Sequence, residues 1–295
     1  MKRRLLTYSF SLLNADYVKL DAQWNYTNVI SPYYRMYYID AGSGVLADAQ
    51  HALALQPGYL YLVPSFTLCS YHTPEFLGQH FIQFFEDSVD KISLFHANRT
   101  VMQLEAGPSD IEQFKRLLAI NPGRGLYRSD NPRIYEKDIY YKEYQELNNR
   151  QSLPVYLETQ GILMQLISRF LSPALFKAGQ LENIPFKIME AISYIQLNLH
   201  QPLSVNHLAE RANQHPDYFS RVFLEYTGAR PVKYIQDKRI ERAQYLITTM
   251  NLPYAEIAQQ TGFEHLPYFS KLFKRITGLT PGEYRRQHQL FNRMS

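Results

Sequence analysis

Up to about residue 105 the chain carries short apolar runs and no helical periodicity. The runs are rich in aromatic and β-branched residues, and turn residues such as Gly42-Ser43-Gly44, Pro57-Gly58 and Pro64 separate them. Close, regular spacing of this kind favours a barrel or a sandwich over strand–helix–strand units. The predicted strands include residues 33–39, 45–49, 59–63 and 81–85.

From Pro108 onwards the apolar residues follow helical spacing. Residues 111–118 and 156–170 have apolar side chains at steps of three and four, which indicates amphipathic helices. The stretch 172–185 contains proline, glycine and asparagine without periodicity, and it is therefore predicted to be a linker. Everything after this linker is predicted to be helical.

Capping residues indicate where several of the C-terminal helices begin. Ser204 is a suitable N-cap for a short helix. Pro231 opens a long helix that continues to Met250, because proline is tolerated in a first helical turn. In Thr280-Pro281-Gly282-Glu283, a threonine stands at the N-cap and a glutamate follows three residues later, which predicts a capping box at the last helix.

The helical segment spells one short unit twice. Tyr218-Phe219-Ser220 returns 50 positions later as Tyr268-Phe269-Ser270. In each unit the apolar residues stand at i, i+3, i+4 and i+7, which makes one buried stripe along a helix. The other residues that recur at this offset are Phe223 and Phe273, Thr227-Gly228 and Thr277-Gly278, Pro231 and Pro281, and Tyr234 and Tyr284.

Each unit is preceded by a short predicted helix and a tight turn. The small residues Ala209 and Ala258 lie in these short helices, where two helix backbones must approach closely. A short helix, a turn and a second helix with a polar, basic outer face form a helix-turn-helix, whose second helix reads the major groove of DNA. Two turns of an α-solenoid are the weaker alternative, because solenoids usually need three or more repeats.

The offset between the two units fits the geometry of duplex DNA. The predicted helix from Pro231 to Met250 has about 20 residues and would span ~30 Å. Successive major grooves on one face of B-DNA lie ~34 Å apart. We therefore interpret the long helix as a spacer that places two reading helices in neighbouring grooves.

The positive charge of the chain is concentrated in this same segment. Residues 186–295 hold 14 Lys and Arg against 9 Asp and Glu, whereas residues 1–185 hold 17 against 18. A basic module beside a neutral one indicates that the basic module binds an anionic polymer.

Composition adds limits on compartment and class. The single cysteine, Cys69, excludes an internal disulfide framework and fits a reducing cytoplasm. The opening MKRRLLTYSFSLL is interpreted as a first strand and not as a secretion signal, because Thr7, Ser9 and Ser11 interrupt its apolar run. No run approaches the ~20 apolar residues that a membrane span needs.

Residues 257–285, IAQQTGFEHLPYFSKLFKRITGLTPGEYR, resemble the signature of the AraC/XylS transcription regulators. The whole of 186–295 is similar to the DNA-binding domain of that family. The residues that carry the resemblance are Ile257-Ala258, Gly262-Phe263, Tyr268-Phe269-Ser270, Phe273-Lys274, Gly278, Pro281 and Tyr284.

The resemblance implies reading helices at 216–227 and 266–277. Arg221 is the favoured base contact, since an arginine can donate two hydrogen bonds to one guanine. Leu266 and Pro267 depart from the polar residues expected there, so readout by the second helix is expected to rely on Tyr268 and Lys271. The positions that correspond to base-facing residues of the family are Asp217, Ser220, Arg221, Leu266, Pro267, Tyr268, Ser270 and Lys271; Tyr218 is a further candidate DNA contact, and Lys233, Lys274 and Arg285 are predicted to contact phosphates.

The N-terminal half resembles, more loosely, the cupin-like β-barrel with which such regulators sense an effector. Because cupin barrels can also be metalloenzymes, we compared it with their metal-binding motif. Gly58 and Pro64 fit this motif, but Phe66 replaces a glycine and Cys69 stands at the position of the ligand histidine. We therefore expect no metal, no cofactor and no enzymatic activity. The other candidate ligands, which do not make a convincing set with Cys69, are His51, His72 and His80.

A barrel lined by aromatic faces and a few hydrogen-bond donors suits a small polar organic effector, with a sugar as one candidate. The helices within 108–171 are predicted to form a homodimer interface, although their apolar stripe could equally pack on the barrel of their own chain. The residues predicted to bind the effector are Trp24, Arg35, Tyr37, His72, His80 and Gln83.

These patterns together predict an α+β protein of two domains. Residues 1–107 are the cupin-like effector-sensing barrel, 108–171 the helical dimerisation segment, 172–185 the linker, and 186–295 the all-α DNA-binding domain with two helix-turn-helix motifs joined by a long helix. The predicted function is a cytoplasmic, effector-controlled transcriptional activator that binds promoter DNA as a homodimer and contacts RNA polymerase, with no membrane partner. The alternatives are a cupin-type metal-dependent isomerase or dioxygenase with a helical appendage, and an architectural DNA binder without sequence preference.

Overall fold

The computed structural model describes residues 8–48, 51–88, 93–95, 99–125, 138–171 and 185–289. The chain divides into two compact units. The sheet unit is built mainly from residues 8–87 and 98–176, and the helical unit mainly from residues 177–287. This division confirms the predicted α+β class with sheets in the N-terminal half and helices in the C-terminal half. The predicted linker 172–185 lies outside the described residues, except for residue 185.

The described part of the sheet unit contains the strands β1 (Tyr8–Asp21), β2 (Asn25–Val29), β3 (Tyr34–Gly42), β4 (Gly44–Ala47), β5 (Ala52–Leu55), β6 (Tyr59–Val63), β7 (Cys69–His72), β8 (Phe76–Ser88) and β9 (Met102–Glu105). They form a five-stranded sheet of order β1-β8-β3-β6-β9 and a four-stranded sheet of order β2-β7-β4-β5. The expected closed barrel is therefore not formed by the described residues, whose strand ladders stay in two separate sheets. Closure depends on long-range strand pairing, which short apolar runs do not specify.

The core of the sheet unit lies between its two sheets. Alternate residues of β3 share one face, and on that face Tyr37 lies beside Phe81 of β8. Both rings are buried in one cluster with Leu46 of β4 and Tyr71 of β7. The aromatic residues on which the strand prediction for this segment was based thus supply the apolar area that holds the two sheets together.

The described part of the sheet unit also contains the helices α1 (Pro108–Ile120), α2 (Asp138–Asn149) and α3 (Leu153–Phe170). Phe114 of α1 is buried, and its ring centroid lies 6.2 Å from that of Tyr38, on the face of β3 that points away from the core. Gln160 of α3 exchanges two hydrogen bonds with the backbone of Phe10, at 2.9 and 2.6 Å. Its side-chain amide therefore replaces a strand partner for β1.

A buried arginine fastens the chain after α1 to β1. The guanidinium of Arg124 donates to the carbonyl oxygen of Leu12 at 3.0 Å and to Oδ1 of Asn148 at 2.7 Å. Asn148 in turn donates to the same Leu12 carbonyl at 2.9 Å. Burial lowers the pKa of Arg124 to about 10. The charge is thus kept inside the unit by hydrogen bonds, which offset part of its desolvation cost.

The helical unit contains α4 (Phe186–Leu197), α5 (Val205–Arg211), α6 (Pro216–Thr227), α7 (Pro231–Thr249), α8 (Tyr254–Gln260), α9 (Leu266–Thr277) and α10 (Pro281–Gln289). This confirms the prediction that everything after the linker is helical, over the residues described. Oγ of Ser204 accepts from the His207 amide at 3.1 Å, as expected of an N-cap. The predicted capping box is also confirmed: the Thr280 amide donates to Glu283 at 2.7 Å, and the Glu283 amide donates to Thr280 Oγ1 at 3.1 Å.

The duplicated sequence folds into duplicated structure. Thr227 Oγ1 donates to the Phe223 carbonyl at 2.7 Å, and Thr277 Oγ1 donates to the Phe273 carbonyl at 2.8 Å. The ring centroids of Phe223 and Tyr234 lie 5.3 Å apart, in an edge-on arrangement. Phe273 and Tyr284 repeat that distance and arrangement. These threonine, phenylalanine and tyrosine pairs therefore keep the same contacts in both copies.

The two copies differ in the turn between their helices. Val205 and Tyr254, which open α5 and α8, lie 49 positions apart, whereas Pro216 and Leu266, which open α6 and α9, lie 50 positions apart. The second turn therefore holds one more residue than the first. The additional length lets Phe263 pack its ring 5.3 Å from Phe269.

Gly262 stands in this second turn because a side chain does not fit there. Its φ of 79° is left-handed, and an added Cβ would overlap the carbonyl oxygen of Leu199 and lie 2.7 Å from the guanidinium carbon of Arg239. Gly278, the C-cap of α9, also has a φ of 79°, but nothing lies within 4 Å of an added Cβ. A substitution at Gly278 would therefore meet backbone strain alone, whereas a substitution at Gly262 would meet backbone strain and steric overlap.

We expect Gly262→Ala to lower the free energy of unfolding more than Gly278→Ala. The left-handed backbone alone should cost about 1–2 kcal/mol at either position. Overlap with Leu199 and Arg239 should add at least about 1 kcal/mol at Gly262. Urea unfolding of the full chain, followed by far-ultraviolet circular dichroism, measures both; equal losses would contradict the close approach at Gly262.

Candidate nucleic-acid interface

The two second helices, α6 and α9, each bury one stripe and expose the opposite face. The buried positions include Phe219 and Phe223 on α6, and Phe269 and Phe273 on α9, all fully buried. These stripes pack against α7 and the short helix of the same unit, so the exposed faces are held on a rigid support. The candidate interface is therefore the outward face of α6 and of α9.

The face of α6 carries the residues predicted for it. Asp217, Tyr218 and Arg221 are exposed, and Ser220 is half-buried. The guanidinium carbon of Arg221 lies 5.4 Å from the centroid of the Tyr218 ring, a cation–π contact that orients the arginine on the surface. Asp217 lies 3.8 Å from Nδ1 of His215. The predicted contacts of the first unit thus share one exposed face.

The face of α9 also keeps the predicted positions together. Leu266, Pro267 and Lys271 are exposed, whereas Ser270 is half-buried. Tyr268 is 50 % exposed, and its hydroxyl accepts a hydrogen bond of 2.8 Å from Nε2 of Gln236 on α7. That bond fixes the direction of the Tyr268 ring relative to α7.

The three side chains predicted to contact phosphate lie in different surroundings. Lys274 is exposed on α9. Lys233 forms an ion pair with Asp237 of the next turn at 2.6 Å. Arg285 is half-buried: it donates to the carbonyl of Leu252, and its guanidinium carbon lies 4.1 Å from the Tyr254 ring centroid. In these contacts Arg285 holds α10 against the start of α8.

Arg239 was not among the predicted site residues, although it connects the two helix-turn-helix units of the helical unit. From the middle of α7 it donates to the carbonyl of Leu199 at 3.0 Å and to that of Gln201 at 2.7 Å. On the other side, its guanidinium carbon lies 5.7 Å from the Phe263 ring centroid, next to Gly262. One side chain thus contacts the residues that follow α4 and the turn of the second helix-turn-helix unit.

The electrostatics of Arg239 fit this position. Burial lowers its pKa, and the nearby Tyr268 and Glu264 raise it in part. A lysine would not reproduce the site, because a guanidinium presents several donors in a fixed fork and an ammonium does not. The available sequence signal is an arginine in the middle of α7, the helix that lies between the two repeats.

Of the six predicted effector residues, four face the space between the sheets. Trp24, Arg35, Tyr37 and Gln83 are each at most 5 % exposed. Trp24 stacks on Tyr71 with centroids 4.6 Å apart, and Arg35 donates to Sγ of Cys69 at 3.1 Å.

Tyr71 connects these residues, because the guanidinium carbon of Arg35 lies 5.8 Å from its ring centroid. Tyr71 was not among the predicted effector residues. The alternation of β7 carries the missing signal, since Cys69 and Tyr71 point inward from the same face while His72 is exposed.

The two predicted histidines do not join this group. His72 is exposed on β7, facing away from the core. His80 lies beside Tyr38 on the outer face of the five-stranded sheet, with Nε2 3.9 Å from the Asp40 carboxylate. Burial lowers the pKa of His80, and Asp40 opposes that shift. Strand register decides which face a residue takes, and composition alone does not fix it.

Two kinds of feature are absent from the described part of the chain. Within those residues, no three or more His, Cys, Asp or Glu side chains come together in a group that could hold a metal ion. None of the helices described is long and apolar enough to cross a membrane.

Comparison with known proteins identifies the domain that carries α6 and α9. Residues 208–287 match the family model described as a helix-turn-helix domain. Over 76 residues the chain is 35% identical to YobQ of Bacillus subtilis (strain 168), which is described as an uncharacterized HTH-type transcriptional regulator. The C-terminal segment is a helix-turn-helix domain of the AraC type. The match covers 26% of this chain and about a third (32%) of YobQ, so it concerns the AraC-type domain and not the rest of the chain.

Solved structures of ToxT from Vibrio cholerae strain SCE256 resemble the whole fold. An apo form of a ToxT variant matches 97% of this chain and 99% of its own, with a TM-score of 0.53 and 13% identity. Wild-type ToxT with a bound unsaturated fatty acid matches 97% of each chain, with a TM-score of 0.51 and 14% identity. At this identity the likeness concerns the fold: an N-terminal sheet-rich part followed by an AraC-type helical part.

We expect substitutions of Arg239 to destabilise the AraC-type domain in proportion to the hydrogen bonds removed. Arg239→Met leaves the carbonyls of Leu199 and Gln201 without this donor and should cost roughly 1.5–3 kcal/mol. Arg239→Lys should cost less, because an ammonium can retain one of the two bonds. Urea unfolding of the full chain measures both variants.

Arg242 is the matched control for this experiment. It lies one turn further along α7, is exposed, and places its guanidinium carbon 4.9 Å from the Tyr245 ring centroid. Arg242→Met should change stability by less than about 0.5 kcal/mol. If Arg239→Met were as mild as this control, the proposed link between the units would be wrong.

Proposed function

We propose that this protein is a transcriptional regulator whose AraC-type domain binds double-stranded DNA through α6 and α9. The observation that carries the proposal is the pairing of two exposed helix faces on one duplicated, tightly packed support. Each face carries polar or basic side chains over a fully buried aromatic stripe. A major groove admits a helix of this kind, and its exposed side chains can reach base edges.

The length of α7 supports simultaneous binding by both units. With 19 residues it spans about 29 Å at ~1.5 Å per residue, close to the ~34 Å between successive grooves on one face. Arg239 and Gly262 hold the two units to this helix, so the spacing of α6 and α9 does not depend on a flexible connection. We propose that α6 and α9 occupy neighbouring major grooves of one site.

The base and phosphate contacts follow from the exposed side chains. Arg221 is proposed to contact guanine, and Tyr268 and Lys271 to carry readout by α9, where Leu266 and Pro267 offer apolar contact only. Lys274 and Lys233 are proposed to contact phosphate; for Lys233 this requires exchange of its ion pair with Asp237. Arg285 is retained as a phosphate contact with a second role in packing. The remaining proposed DNA contacts are Asp217, Tyr218, Ser220 and Ser270.

The sheet unit is proposed to bind the effector between its two sheets. Trp24, Arg35, Tyr37 and Gln83 supply an aromatic surface with a few donors there, which suits a small polar organic molecule such as a sugar. ToxT binds an unsaturated fatty acid in a similar fold, so a lipid is the alternative ligand. His72 and His80, which lie outside this space, are not proposed to contact the effector there. We propose that the two sheets of this unit are a cupin-like scaffold for the effector.

Homodimerisation is proposed to use the outer face of α3. Leu153 is 67 % exposed and Leu157 is 58 % exposed, and Met164 continues the same apolar side of the helix. A dimer would bring a second pair of reading helices to the DNA and lengthen the site. We further propose that the effector acts on the DNA-binding domain through the linker 172–185. The protein would activate transcription in the cytoplasm and contact RNA polymerase. The domain boundaries of this proposal are those predicted from the sequence.

The first test concerns Arg221. Arg221→Ala should weaken binding to a duplex that the full chain has enriched from a randomised pool, by about 1–3 kcal/mol, because the two hydrogen bonds to guanine are removed. Binding to a scrambled duplex of equal length should change little. Fluorescence anisotropy at one fixed salt concentration measures both affinities.

Arg242→Ala provides the control for Arg221. Arg242 stands nine residues after Lys233 on α7 and so, at about 100° per residue, on the opposite side of that helix. It should leave both affinities unchanged. An equal loss by Arg221→Ala on both duplexes would assign Arg221 to phosphate instead, and enrichment of no sequence at all would contradict the proposed function.

A second test uses the only tryptophan of the chain. Since Trp24 is buried and stacked on Tyr71, an effector that enters between the sheets should change its fluorescence. Titration with a panel of sugars and unsaturated fatty acids measures this. Gln83→Ala should weaken the response of the active compound, whereas His72→Ala, on the exposed side of β7, should not. A compound that raises the melting temperature but leaves the Trp24 emission unchanged would contradict binding at this position.

A further inference from the structure

The two reading helices carry opposite charge although their cores are duplicates. On α6 the charged residues are Asp217, Arg221 and Glu225, which sum to −1; on α9 they are Lys271, Lys274 and Arg275, which sum to +3. All six side chains are exposed. The basic excess of the domain is therefore unevenly divided between the two units.

This difference has a direct consequence at a phosphate backbone. Contacts of lysine and arginine with phosphates release counterions and supply affinity that is independent of sequence and strongly dependent on salt. The face of α9 is suited to such contacts. Asp217 in the first turn of α6 repels phosphate. Its negative charge also cancels part of the positive potential at the N-terminus of the helix, which would otherwise attract phosphate. The first turn of α9 contains no acid.

The hydrogen-bonding groups are divided in the opposite sense. The first turn of α9 offers Leu266 and Pro267, which cannot hydrogen-bond to a base edge through their side chains, and the Tyr268 hydroxyl, which accepts from Gln236 and has one proton left to donate. The first turns of α6 offer Asp217, which can accept from the amino group of cytosine, and Arg221, which can donate twice to guanine. The groups with the most defined base preference, an acid for cytosine and a guanidinium for guanine, thus lie on the helix with the less favourable charge. On α9 the base-reading groups are Tyr268 and the flexible ammonium of Lys271, which lacks the fixed donor geometry of an arginine.

We infer that the two units have different roles at one DNA site: the α9 unit supplies most of the sequence-independent affinity, and the α6 unit supplies most of the sequence discrimination. Asp217 is then a specificity residue that acts by penalising sequences lacking its partner. This inference rests on the proposed function, since it divides the work of DNA binding between α6 and α9. It does not depend on the effector or on the oligomeric state.

The test compares the full chain with two variants on the enriched duplex and on its scrambled counterpart, over a range of salt concentrations. Lys274→Ala combined with Arg275→Ala, which leaves Lys271 and its proposed base contact in place, should reduce both affinities by the same factor. It should also lower the slope of log K against log[salt] by about 2, roughly 1 for each phosphate that is no longer neutralised. Lys187→Ala combined with Arg242→Ala removes two exposed basic residues of the same domain outside α6 and α9, and should leave the slope nearly unchanged.

Asp217→Asn tests the other half of the inference. It should strengthen binding to the scrambled duplex and lower the ratio of enriched to scrambled affinity by roughly 5-fold or more. The inference is overturned if Asp217→Asn leaves this ratio unchanged, or if the Lys274/Arg275 variant loses affinity only for the enriched duplex with an unchanged salt slope. Failure of the proposed function looks different, because the unmodified chain would then enrich no sequence.

Discussion

The hydrogen bonds of Arg239 to the Leu199 and Gln201 carbonyls are the constraint on which the arrangement of the AraC-type domain depends. Each helix-turn-helix unit has its own aromatic core, and α7 packs against both. Arg239 reaches from α7 to the end of α4, and Gly262 lets the second turn pass directly over it. Without this junction, α6 and α9 would still be exposed helices, but their separation and direction would not be set together.

The two helix-turn-helix units share the same aromatic core contacts but differ on their exposed faces. Phe223 with Tyr234 and Phe273 with Tyr284 repeat one edge-on ring contact, because each unit must solve the same packing problem. The exposed faces have no such requirement, and there α6 is weakly acidic while α9 is strongly basic. The domain therefore keeps one packing geometry in both units while the two exposed helix faces differ in charge.

Sequence reasoning succeeded where the determining interactions are local. The capping box at Thr280 and Glu283 and the buried stripes of α6 and α9 depend on residues within one or two turns of each other. It failed where partners are distant in sequence or where register decides. Arg239 bonds to backbone carbonyls about 40 positions away, and His80 faces outward because of its pairing with Tyr38. The two separate sheets, expected as one barrel, likewise follow from long-range pairing.

The central claim is that one rigid domain places α6 and α9 in successive major grooves on the same side of the duplex. Hydroxyl-radical footprinting of the full chain on an enriched duplex tests this most directly. The account predicts two protected regions per domain on one face of the DNA, with centres about 10 base pairs apart. A single protected region, or two regions on opposite faces of the helix, would contradict it.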